Sequence, residues 1–219
     1  MCGIVGGIAK RPILPILLEG LKRLEYRGYD SAGIAILDDD GLSRVRTVGK
    51  VERLVGEVDQ HGLLGRIGIA HTRWATHGAP CQKNAHPHMS NECVAMVHNG
   101  IVENYQALRQ AQIEKGRQFH SDTDTEVVVY MIDDAVAAGM HLVEAVQSVV
   151  SQLQGTYALA VIHKNYPDEL VAVRSGSPLV IGLGVGETFV ASDSLSLLPV
   201  TSRFIYLEEG DIAHIHIDQ

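Results

Sequence analysis

The chain has 219 residues, 18 Lys and Arg against 26 Asp and Glu, a formal net charge of −8, and 46% apolar, 20% charged and 5% aromatic residues. This composition excludes collagen-like, disordered and coiled-coil readings, and its acidic balance, with Lys and Arg scattered, argues against nucleic acid or an anionic membrane surface as a partner. No run of 18 apolar residues is present, no basic stretch leads the short apolar N-terminus, and three cysteines without a CxxC pair suit a reducing compartment, so no membrane span and a cytoplasmic location are expected.

In chain order, β-like runs are predicted at residues 3–9, 32–37, 66–71, 94–98, 157–163, 170–174, 188–191 and 211–217, several alternating apolar with small or polar residues. Helical spacing is predicted in four places. Ile13, Ile16, Leu17, Leu21 and Leu24 form one apolar stripe, and residues 102–115 a weaker one. Thr123 and Glu126 make an S/T-x-x-E capping box ahead of Val127, Val128, Met131 and Ile132, in a helix that should stop near Gly139. The fourth helix covers 141–153, with Gly155 as its stop. Residues 72–89 lack periodicity and read as a long loop, a length usually tied to function. Residues 170–191 read as consecutive hairpins. Strands that neighbour one another without βαβ alternation disfavour a doubly wound sheet and favour sheets with helices on one face each.

The chemistry starts at Cys2, directly behind the initiator Met. Cys is small, so removal of Met1 is expected to expose Cys2 as the mature N-terminus. A free α-amine, with a pKa of about 7.7–8.0, then offers a base on the same residue as the thiol. Position alone favours a small buried Cys in the first strand; the rest of the sequence reverses that preference.

Met1-Cys2-Gly3-Ile4-Val5-Gly6 resembles the opening of the class II glutamine amidotransferases, which are N-terminal-nucleophile amidohydrolases. Further blocks resemble that family in its own order: residues 24–33, His71-Thr72-Arg73-Trp74-Ala75-Thr76-His77-Gly78, Val97-His98-Asn99-Gly100, Ser121-Asp122-Thr123-Asp124-Thr125-Glu126, and Arg174-Ser175-Gly176-Ser177-Pro178-Leu179. The wording of three blocks is closest to the aminosugar-forming branch. The resemblance implies an α+β fold, a four-layer αββα sandwich of two mainly antiparallel sheets, formed by residues 1–219 as one glutaminase domain. It also implies that this domain is the N-terminal part of a longer, homodimeric protein whose other half handles fructose 6-phosphate.

By the same resemblance, Cys2 attacks the side-chain amide of L-glutamine, and Asn99 and Gly100 form the oxyanion hole. Arg73 takes the substrate carboxylate and Asp124 its ammonium. Thr76 and His77 contact substrate from the Arg73 loop, and Trp74 covers the pocket. Arg27 and Gly28 organise the pocket around Cys2, or simply end a helix. No cofactor is implied. Amidophosphoribosyltransferase, glutamate synthase and asparagine synthetase share the same glutaminase half and remain alternatives.

The rival class is a zinc module drawn through Cys81, His86, His88 and Cys93, whose spacing matches no familiar finger or ribbon; loop histidines around the pocket are the plainer reading. Gly182, Gly184 and Gly186 lack a dinucleotide fingerprint, Ser175-Gly176-Ser177 lacks a nucleophile elbow, and residues 38–40 read as an exposed acidic turn.

Overall fold

The computed structural model describes residues 2–75 and 78–217. Two antiparallel sheets stack face to face, and helices cover the outer side of each. The seven-stranded sheet comprises β1 (Gly3–Ala9), β2 (Ser31–Asp38), β3 (Gly41–Val48), β4 (Ile67–Arg73), β9 (Val180–Leu183), β10 (Glu187–Ala191) and β11 (Phe204–Tyr206), in the order β11-β9-β10-β1-β4-β2-β3. The five-stranded sheet comprises β5 (His88–Ser90), β6 (Val94–Val102), β7 (Gly155–His163), β8 (Tyr166–Ser175) and β12 (Ile212–His216), in the order β12-β8-β7-β6-β5.

Three apolar layers separate these four, and strand alternation decides which residue enters which. On β1, Val5 and Ala9 face outward against α1 (Leu14–Leu24), while Ile4 and Ile8 face the opposite sheet. On β7, Leu159 and Val161 turn toward α4 (Asp124–Ala137) and α5 (Leu142–Val150), and Ala158, Ala160 and Ile162 turn inward. Both faces of the central strands are therefore buried, which is why they read as near-continuous apolar runs. Fully buried side chains such as Leu17, Leu21 and Ile34 each contribute about 1.5–3 kcal/mol by leaving water. The αββα sandwich follows from these layers.

Some expectations change on folding. A helix absent from the sequence reading, α2 (Val51–His61), buries Val51, Leu54 and Val58 against the seven-stranded sheet, and Glu25 caps it by accepting from the Val51 N–H at 2.8 Å. Strand β3 was also unread; it is an edge strand whose Arg44 and Arg46 donate to the carbonyls of Pro87 and Ala85 and so clasp the segment running past it. The supposed loop 72–89 is partly regular: β4 runs through Arg73, residues 82–84 form a 3-10 turn, and β5 begins at His88. The weak stripe at 102–115 becomes α3 (Tyr105–Glu114), packed on the α4 side. Helix α5 ends at Val150, and Gly155 opens β7 instead of stopping the helix. Only half of the capping box forms. Thr123 accepts from the Glu126 N–H at 3.4 Å, but the Glu126 carboxylate turns to the N–H groups of His120 and Ser121 and to the hydroxyls of Ser121 and Tyr130. Residues 170–191 are not consecutive hairpins: β8 closes in one sheet, and the β9–β10 hairpin lies in the other.

Candidate active site

A small cleft opens where the two sheets meet, lined by Cys2, Arg73, Trp74, His86, His98, Gly100, Thr123, Asp124 and Thr125. Antiparallel pairing of β1 with β4 sets Gly3 opposite Thr72 and so brings Cys2 beside the Arg73–Trp74 segment. The half-buried Cys2 Sγ accepts from the Trp74 N–H at 3.2 Å, and the thiol donates to the Trp74 carbonyl at 3.3 Å. Burial pushes the Cys2 thiol above its ordinary value, against the opposing pull of the Trp74 hydrogen bond and the nearby Arg73 charge. The resting sulfur is thus a thiol and needs a base to become nucleophilic.

The opposite sheet supplies the floor. His71, fully buried on β4, places Nε2 3.0 Å from both the His98 carbonyl and Asn99 Oδ1. Two acceptors at one nitrogen mean that Nε2 carries the proton. The bare Nδ1 is buried without a hydrogen-bond partner, and burial pushes the His71 pKa down to about 3. With Oδ1 committed to His71, the Asn99 amide nitrogen turns to Cys2 and donates to its carbonyl at 3.2 Å. Gly100 follows with φ +117°, and a Cβ there would lie 2.0 Å from the Thr156 carbonyl, so only glycine fits this turn of the backbone into the cleft. Deeper still, the Thr125 hydroxyl lies 2.9 Å from both His86 Nε2 and His98 Nδ1, donating to one and accepting from the other.

Charge is arranged at two places. Arg73, 3% exposed, reaches the carbonyls of Gly78 and Ala79 and lies 3.6 Å from Asp30. Asp30 also accepts from the Ala75 N–H and the Ser31 hydroxyl, so it braces the whole Arg73–Ala75 segment. Asp124, 4% exposed, opens α4, where the helix dipole favours a carboxylate, and accepts from the Val102 N–H at 2.8 Å.

Arg27 and Gly28 stand outside the lining of the cleft. The Arg27 guanidinium pairs with Asp193 at 2.5 Å, and Tyr26 donates to the same carboxylate. Gly28 has φ +90°, and a Cβ on it would come within 2.6 Å of the Trp74 ring, so the bare backbone seats the half-exposed indole. Thr76 and His77 lie outside the described residues. The sequence reading missed His71 and Asp30 as site-builders, although both sit inside quoted motifs. The zinc module does not assemble: His86 and His88 are buried, His86 on Thr125 and His88 on Thr123, and burial pushes both well below the ordinary imidazole range. Cys81 and Cys93 are free.

The family described as glutamine amidotransferase domain matches residues 71–199. The chain belongs to this family, as a class II member with the N-terminal-nucleophile fold. It is 59% identical over 218 residues to the isomerizing glutamine–fructose-6-phosphate aminotransferase of Acinetobacter baylyi, covering 100% of this chain and 36% of that protein. The enzyme of the same name from Pseudomonas aeruginosa is also 59% identical, over 219 residues and 36% of its length. The chain thus spans about a third of the curated relatives it matches. Among solved structures, the glutamine phosphoribosylpyrophosphate amidotransferase of B. subtilis, complexed with ADP and GMP, superposes with a TM-score of 0.85 at 26% identity, covering 98% of this chain and 47% of that one. A glutamine aminotransferase class-II domain protein from Silicibacter pomeroyi shares the fold at 18% identity, with a TM-score of 0.66 and coverage of 98% and 95%.

Proposed function

We propose that residues 1–219 form one glutaminase domain, which hydrolyses L-glutamine to glutamate and ammonia through a Cys2 thioester. The observation that carries this reading is the convergence of a thiol, a buried guanidinium and a buried carboxylate on one cleft. Glutamine presents an amide, a carboxylate and an ammonium, and each finds a complementary group there.

With Met1 removed, the α-amine of Cys2 takes the thiol proton as sulfur bonds to the amide carbon. The negative oxygen is held by the Asn99 side-chain NH₂ and the Gly100 N–H, an arrangement typically worth about 10²–10³ in rate per donor. The amine returns its proton to the departing ammonia, and water then cleaves the thioester to give glutamate. Arg73 holds the substrate carboxylate and Asp124 its ammonium. By the family resemblance Thr76 and His77 also contact substrate, and Trp74 closes over the pocket. Arg27 and Gly28 steady the Cys2 surroundings, and His71 orients Asn99. No cofactor enters this chemistry. The identity to the fructose-6-phosphate enzymes favours fructose 6-phosphate as the ammonia acceptor, bound by a further domain of a longer, cytoplasmic, homodimeric protein. A phosphoribosylpyrophosphate acceptor has the weaker support of lower sequence identity.

The test is direct. Intact mass measurement should show loss of Met1, and the chain should release glutamate from glutamine. Cys2→Ala should fold normally and fall to background turnover. Sustained turnover in that variant, or none in a Met1-free parent that retains its thiol, overturns the proposal.

A further inference from the structure

The outer edge of the five-stranded sheet gathers a second set of reactive side chains. His141 precedes α5, Glu169 lies on β8 and His214 on β12, three elements brought together only by folding. Glu169 Oε1 lies 3.3 Å from His141 Nε2, and its Oε2 lies 2.8 Å from His214 Nε2. One donor atom from each residue fits within a mutual spacing of 4.8 Å. None of the three lines the Cys2 cleft.

We propose that His141, Glu169 and His214 form a binding site for one divalent transition-metal ion of the zinc class. Two imidazoles and a carboxylate are a donor set that holds zinc in proteins, leaving a fourth position for water. Donors bound at ~2.0–2.2 Å around a tetrahedral ion sit roughly 3.3–3.5 Å apart, so small side-chain rotations close the present cluster onto a metal. The nitrogen donors disfavour magnesium and calcium, which prefer all-oxygen shells.

The burial of Glu169 points the same way. Its side chain is only 11% exposed, and the two partners the structure gives its carboxylate are imidazoles. A nearly buried carboxylate is costly without a compensating positive charge, which a bound cation supplies. His216, on the same face of β12, stands with its ring centroid 4.3 Å from that of His214. A metal there staples the edge strand β12 to β8 and to the start of α5. It adds a tie to β12, an edge strand that joins the sheet through one ladder and the packing of Ile212 and Ile215.

The experiment titrates zinc chloride, and separately magnesium chloride, into the chain carrying Cys2→Ala, so that the thiol and amine of residue 2 do not chelate. Calorimetry should show one zinc per chain, no heat with magnesium, and a rise in Tm with zinc. His214→Ala and Glu169→Gln should each weaken zinc binding at least tenfold and remove the rise in Tm, with unchanged circular dichroism. His141→Ala, at a half-exposed side chain, replaces Glu169→Gln if that variant does not fold. No zinc binding up to millimolar concentration, or parent-like affinity in the His214 and His141 variants, overturns the proposal.

Discussion

The rim and the floor of the cleft are built differently. The rim is a short segment, Arg73 to Ala75, held by Asp30 and ending beside an indole that is 53% exposed. The floor is buried, with Asn99 oriented by His71 and Thr125 shared between His86 and His98. A rim that meets solvent suits recognition of a soluble amino acid. A floor whose side chains are held in place by buried hydrogen bonds suits stabilisation of a charge that exists only fleetingly, because a preorganised site rearranges little when that charge forms. In the proposed reaction, rim substitutions should therefore act on KM and floor substitutions on kcat.

The sharpest test of that division is Asn99→Ala, expected to lower kcat about 10²–10³-fold in glutamine hydrolysis while KM stays within a few-fold. A dominant KM effect would erase the distinction. Next, Arg73→Ala should raise KM about 10–100-fold, the worth of hydrogen bonds to a charged group, with kcat largely kept. Steady-state kinetics checks both. Gly28→Ala should have a smaller effect, a KM increase of several-fold, because its Cβ would collide with the Trp74 ring and the backbone there has positive φ; an unchanged KM would remove the indole from the rim's work. The last effect is on stability, not on turnover. His71, His86 and His88 have depressed folded-state pKa values, so below about pH 6.5 the unfolded chain binds protons that the folded chain refuses. Tm should be level from pH 8 to 7 and fall progressively between pH 6.5 and 5. A Tm that does not fall would mean that the floor histidines are protonated in the folded state.

Much of the fold was legible because central strands alternate strictly between two apolar layers. Residues 3–9, predicted as a strand, form β1 with the same bounds. What escaped had a physical reason. Strand β3 lies at a sheet edge and carries Arg44 and Arg46, whose charges protect an edge but disguise a strand. Helix α2 holds a central Gly56 and three buried apolar residues, a faint stripe that was nonetheless present at Val51, Leu54 and Val58. In the cleft, Cys2, Arg73, Asn99, Gly100 and Asp124 were legible as members of motifs. The service that His71 renders to Asn99 was not, because it depends on a 3.0 Å contact across 28 positions of sequence. Likewise, Thr123 and Glu126 read as a reciprocal pair, but Glu126 found closer donors in Ser121 and Tyr130.

The strand that begins just after Cys2 and the strand that carries Asn99 and Gly100 belong to different sheets, joined face to face through Ile4, Ile8, Ala35, Ala95, Val97, Ala158, Ala160 and Ala172. So many alanines let the two slabs approach closely and leave little slack between them. A bulkier residue at Ala95 or Ala160 would wedge them apart, and a displacement of about 1 Å between reacting groups can cost on the order of a hundredfold in rate. If the proposed reaction holds, the methyl groups midway through the sandwich are spacers that set the distance between Cys2 and the Asn99–Gly100 pair, and thickening that middle layer should silence turnover while every residue in the cleft stays as it was.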